Sequence, residues 1–197
     1  MGFASNIVIG SASFLLGMVF VSQVVDIPLL YLPLTDEAIN NAYKFYEMWY
    51  EAPGAVKALF HAAMGLPLIV LLLKLHKWTE SALFFDGTSV ALQLATIVLY
   101  LSVHIASLRT FLPDSNKGSN SWNFLPQPPP PEEPITEDEK VEAVRVLAAA
   151  NALVGLLLIG VIGMQIGQEY AGNVEAREQA RIDAEVRNEE AETKKDQ

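Results

Sequence analysis

Charged side chains are missing from long stretches of this chain, and the lengths of those stretches define its elements. Asp, Glu, Lys and Arg are absent from residues 1–25, from Gly87 to Leu108 (22 residues) and from Val146 to Gln168 (23 residues). Ala58 to Leu73 forms a fourth run of 16, bounded by Lys57 and Lys74. A helix rises about 1.5 Å per residue, so ~20 residues cross a hydrocarbon core of ~30 Å. Three runs therefore span a bilayer outright, and the fourth does so if its lysines snorkel to the interfaces. The pattern predicts an all-α membrane protein with four transmembrane helices.

The polar stretches between the runs have patterns of their own. Between Asp36 and Glu51, the residues Ile39, Ala42, Tyr43, Tyr46, Trp49 and Tyr50 recur every three or four positions, between Pro33 and Pro53. That spacing gives an amphipathic helix an aromatic stripe. Tyr and Trp favour the headgroup zone, so the helix is expected either to lie on the bilayer or to pack its stripe on the spans. "KLHKWTESALFFDG" is short enough to make spans two and three antiparallel neighbours. "LPDSNKGSNSWNFLPQPPPPEEP" has the composition of a part flexible, part polyproline spacer.

"TEDE" at Thr136 to Glu139 fits a capping box, which starts the fourth helix in water well before its apolar run. After Glu169 the pairs Asp183/Arg187 and Glu190/Lys194 support continued helix, and no continuous apolar stripe marks the tail. The expected organisation is span one at 1–25, a luminal loop with the interfacial helix at 26–54, and span two at 55–76. A short cytosolic loop follows at 77–87, then span three at 88–108 and a Pro-rich luminal loop at 109–135. Span four with its polar lead-in occupies 136–168, and a charged helical cytosolic tail occupies 169–197.

Composition agrees with this pattern: 51% of residues are hydrophobic and 18% charged, too oily and too segregated for one ordinary soluble domain. The first run is not read as a cleaved signal peptide, because "MGFASN" carries no Lys or Arg and the apolar run exceeds the usual ~7 to 15 residues. There is no cysteine to form a disulfide and no Asn-x-Ser/Thr sequon. Seven Lys and Arg fall on the side of the termini and six on the other, so charge does not set orientation. "KKDQ" does bear on it. Lys194 and Lys195 stand where a dilysine retrieval signal of the endoplasmic reticulum stands, and such a signal is read only from the cytosol.

Polar residues within the spans are the candidates for chemistry, since each needs a partner in hydrocarbon. Asp86, Ser89, Gln93, Thr96, Tyr100, His104 and Ser107 form one ridge along span three. The ridge must face protein, either the other spans of this chain or another membrane protein. His61 and His104 fall near one membrane face, with Lys57 and Arg109 beside them. Hydrogen-bonded packing and a metal or proton site are both readings, and the second lacks a carboxylate or cysteine at that depth. Gly160, Gly163, Gly167 and Ala171 in span four, and Gly10, Ser13 and Gly17 in span one, form small-residue faces for close helix packing, by default internal. No phosphate loop, GxSxG elbow, HExxH or paired carboxylates occur in the spans, so neither an enzyme nor a transporter is indicated.

The order of features resembles the fungal endoplasmic-reticulum packaging chaperones of amino-acid permeases. The resemblance rests on "APGAVKALFHAAMG", "LHKWTESALFFDGTSV", "YLSVHIASLRT" and "EAVRVLAAANALVGLLLIGVIGMQIGQEYA", covering most of residues 1–172. It implies an ER-resident four-span protein with cytosolic termini, whose membrane helices keep newly inserted permeases from aggregating and whose tail meets COPII coat components. It implies no catalytic residue and no cofactor, and neither nucleic acid nor a small-molecule substrate is expected. By position in the matched motifs, His61, Asp86, Gly87, Arg109 and Glu169 join the ridge as candidates for client contact or bundle integrity. The alternative from another class is a permanent accessory subunit of a membrane enzyme or transporter.

Overall fold

The computed structural model describes residues 2–76, 79–112 and 134–195, with side chains to Asn188. Among these residues all regular structure is helical. Four helices are long and apolar enough to cross a membrane. The Pro-rich stretch, the side chains of Lys194 and Lys195, and the pair Glu190/Lys194 lie outside the described residues.

Helix α1 is Phe3–Tyr31 and ends six residues beyond the charge-free run that predicts it. It passes through Asp26 and Pro28 without ending. Helix α2 is Asp36–Tyr50. Thr35 caps it by accepting the Ala38 N–H at 3.2 Å, and Asp36 and Glu37 occupy its first turn, where the helix dipole favours anions. Helix α3 is Gly54–Leu75. Span three is continuous from Ala82 to Phe111 and starts where the Thr79 hydroxyl accepts the Ala82 N–H at 3.1 Å. Within it, α4 (Gly87–Leu99) and α5 (Ile105–Phe111) alternate with π-helical segments at Ala82–Asp86 and Tyr100–His104.

The last helix, α6, runs unbroken from Glu137 to Lys195. The expected capping box is formed: the Thr136 N–H donates to Glu139 at 2.7 Å and the Glu139 N–H donates to the Thr136 hydroxyl at 3.3 Å. Helix α6 is the central post of the bundle, with α1, α4 and α5 packed directly on it. Val8, Ala12 and Leu15 of α1, Met64 and Leu71 of α3, and Val154, Leu158 and Val161 of α6 make one core. A second core joins Leu29, Phe111, Val144 and Leu147 to Ala42 and Tyr46 of α2. The aromatic stripe of α2 therefore packs on the spans; Tyr43 stacks on Phe111 with ring centroids 5.2 Å apart.

The distribution of polarity is that of a protein dissolved in lipid. Phe3, Phe20, Val24, Leu73 and Leu156 face outward, whereas Asp26, Asp86, Ser89, Gln93 and Gln165 are fully or almost fully buried. The small-residue faces behave differently from one another. A Cβ built on Gly160 would sit 3.0 Å from Leu92, and one on Gly167 would sit 3.1 Å from the Phe85 ring, so span three approaches α6 at these two points. Gly163 has open space, and Gly10, Ser13 and Gly17 lie on the outer face of α1 rather than in an internal contact. The physical reason is register: Val8, Ala12 and Leu15 already fill the inward face of α1.

Candidate functional site

Two buried polar clusters lie at opposite ends of the bundle, and span three has a π segment at each. The first is built on Lys74 and Asp86. Lys74 was expected to snorkel outward, but its ammonium turns inward to Asp86 Oδ1 at 2.8 Å, Gln165 Oε1 at 2.6 Å, Gln168 Oε1 at 2.7 Å and the Ser5 hydroxyl at 3.0 Å. The amide of Gln165 donates to Asp86 and Ser89, and that of Gln168 donates to the second Asp86 oxygen at 2.7 Å. The cluster joins α1, α3, span three and α6, and its two charges cancel. A turn-in is favoured because an aspartate placed opposite the lysine offers a partner that a snorkelled ammonium would leave behind, uncompensated, in hydrocarbon.

The second cluster is built on Asp26, which lies outside the 1–25 run and was not among the candidates. Its carboxylate accepts from Ser22 at 2.7 Å, from the Tyr46 hydroxyl, and from Asn151 Nδ2 at 2.9 Å. Asn151 also donates to Tyr46 Oη at 2.7 Å and accepts from His104 Nε2 at 2.7 Å. A carboxylate therefore does reach the depth of His104, contrary to the sequence reading, because α1 continues past residue 25 into the bundle. Among the described residues no group of three or more His, Cys, Asp or Glu is arranged to hold a metal. Ser5 and Asp26 are 21 positions apart on α1, about 31 Å along the axis, so the two clusters sit near the two faces of a bilayer.

The ridge of span three divides between these clusters. Asp86 and Ser89 belong to the first. Gln93, 0% exposed, donates to the Met64 carbonyl at 2.9 Å, and Thr96 bonds back to Leu92. Tyr100 and His104 reach a cavity of about 400 Å³ lined by α1, α2, α3, span three and α6. Its walls include Trp49, Phe60, His61, Met64, Arg109 and Asn151. His61 Nδ1 donates to the Lys57 carbonyl at 2.6 Å, so its Nε2 accepts the Tyr100 hydroxyl, 3.3 Å away. Thus His61, Tyr100, His104 and Arg109 are brought together at one cavity. A Cβ added at Gly87 would meet only Leu75 and Leu83, each at 4.0 Å, and Glu169 accepts the Gly2 N–H at 2.8 Å.

A family model described as ER membrane protein SH3, the SHR3 chaperone family, matches residues 1–197. The chain belongs to that family. It is also 25% identical over 183 residues to the "Secretory component protein psh3" of Schizosaccharomyces pombe, covering 93% of this chain and 76% of that one. No solved structure matches it. The protein is thus a member of an ER-membrane chaperone family, the family that its sequence stretches resemble.

The residues that sequence reasoning missed belong mostly to the ion-pair end and the Asp26 end: Asp26, Ser22, Tyr46, Asn151, Gln165 and Gln168. A signal for them exists. Ser22 and Asp26 are four apart on one helix face, and Asn151, Gln165 and Gln168 are the amides within an otherwise apolar span.

Proposed function

We propose that this protein is a packaging chaperone that keeps newly inserted amino-acid permeases from aggregating in the ER membrane and promotes their entry into COPII vesicles, with both termini in the cytosol. The observation that carries the reading is α6, a single helix that is the central post of the membrane bundle and continues, fully exposed, far beyond it. One element belongs both to the part that meets membrane clients and to the part that can be read by a soluble coat. Family membership supports the chaperone role, and the secretory relative supports the place in export.

In this reading the bundle's outward apolar surface shields client spans, while Asp86, Ser89, Gln93 and Thr96 keep the bundle intact. Glu169 joins the start of α1 to α6, where the tail departs from the bundle. Lys194 and Lys195 serve ER retrieval. The test is the fate of amino-acid permeases in cells lacking the protein, scored by native-gel size and by location. Permeases aggregated in the ER, with unrelated transporters exported normally, are the expected outcome. Normal permease export would overturn the reading.

A further inference from the structure

The cavity beside His61 is open sideways, and its lining has a definite chemistry. Helix α3 packs on α1 and on α4, yet among the described residues its backbone makes no close approach to α5 or to the Tyr100–His104 segment. Only side chains such as His61 and Tyr100 reach across. The bundle therefore has a slot at its flank, between two membrane-spanning helices, at the end where α3 begins and α5 ends.

Lys57 lies in the first turns of α3 and Arg109 in the last turn of α5, so both cationic side chains border the cavity at headgroup depth. The Lys57 ammonium rests 5.6 Å from the centre of the Tyr50 ring. Among the described residues no Asp or Glu lines the cavity; Asp26 is bonded to Tyr46 and Asn151, which do line it, and Glu51 lies close enough to Lys57 to interact with its charge. Deeper in, the walls become Leu15, Met18, Val19, Met64 and Val154. From Arg109 down to Thr96 the lining extends 13 residues along span three, about 20 Å parallel to the lipid chains.

We propose that this slot is a binding site for one anionic phospholipid, with an acyl chain in the apolar cavity and the phosphate between Lys57 and Arg109. A slot open to the bilayer selects an occupant already dissolved in it. Basic pockets between membrane helices recognise lipid headgroups by charge, and this one adds an apolar channel running in the direction of the chain. Trp49, Tyr50 and Phe45 of α2 form the roof at the level where aromatic rings favour the interface. The inference stands apart from the chaperone reading, since it needs only the bundle.

The test uses the full chain carrying Trp78→Phe and Trp122→Phe, so that Trp49 reports alone, reconstituted in vesicles of phosphatidylcholine with brominated phosphatidylserine or brominated phosphatidylcholine as quencher. Quenching of Trp49 is expected at a roughly tenfold lower mole fraction of the brominated phosphatidylserine. Lys57→Gln should reduce that preference several-fold, Lys57→Arg should restore it, and Val154→Phe, which fills the channel without touching charge, should weaken quenching by both lipids. Equal quenching by the two lipids, a preference unmoved by Lys57→Gln, or native mass spectrometry finding a permease segment in place of lipid would each overturn the assignment.

Discussion

Lys74 and Asp86 meet at 2.8 Å inside the bundle, although the sequence places them at opposite ends of a short connection and gives each a route to water. The geometry makes the polar connection an internal clasp rather than an exposed loop end. Because the amides of Gln165 and Gln168 complete the shell, the pair is sensitive to loss of either charge and tolerant of loss of both.

Asp86→Ala should therefore lower bundle stability by about 3–5 kcal/mol, because it strands the Lys74 ammonium. The double variant Lys74→Met with Asp86→Leu should recover most of that loss. Unfolding in mixed detergent micelles, followed by circular dichroism, checks both. A double variant as unstable as the single would show that packing, not charge pairing, sets the cost.

At the other end, Tyr46→Phe removes the hydroxyl that donates to Asp26 and accepts from Asn151, at an expected cost of about 1–3 kcal/mol. The effect should be local. Hydrogen exchange should speed up along α2 and leave α6 near Gln165 unchanged; protection lost equally at both ends would contradict two independent clusters.

Gly160 and Gly163 separate close approach from mere composition. Gly160→Ile should destabilise by about 1–3 kcal/mol, since even a Cβ there meets Leu92 at 3.0 Å. Gly163→Ala has open space and should stabilise by roughly 0.5–1 kcal/mol through helix propensity. Detergent melting midpoints of the two variants are expected to move in opposite directions.

Four spans, the amphipathic α2 and the capping box were legible because each leaves a local mark: a charge-free length, a period of three to four, a hydroxyl three residues before a glutamate. The Asp26 cluster was not. Ending span one at its first charge hid the residue that joins three helices, and charge alone does not tell a carboxylate at an interface from one inside a bundle. The inward turn of Lys74 was equally hidden, since it depends on which residues of α6 lie opposite.

The start of α6 should respond to acid. Glu139's carboxyl is held below the usual glutamate range, chiefly by accepting the Thr136 backbone N–H, and it lies well before the apolar run. A depressed folded-state pKa adds stability that is present above the ordinary glutamate range and is lost as pH falls through the folded value. After correction for intrinsic rates, exchange of amides 137–140 should rise as pH drops through and below that range. Glu139→Gln should flatten the response, and an unchanged acid response in that variant would assign it to another group.

From Glu169 to Lys195, α6 runs on for about 39 Å, steadied on its surface by Arg181 between Glu178 and Glu185. A rod rooted in a packed bundle behaves as a pointer. Tilting its base by about 10° swings the tip through roughly 7 Å, a displacement larger than a helical turn. The packing of α1, α4 and α5 against the lower half thus fixes the bearing of the upper half in water, as the setting of a mast fixes where its pennant flies.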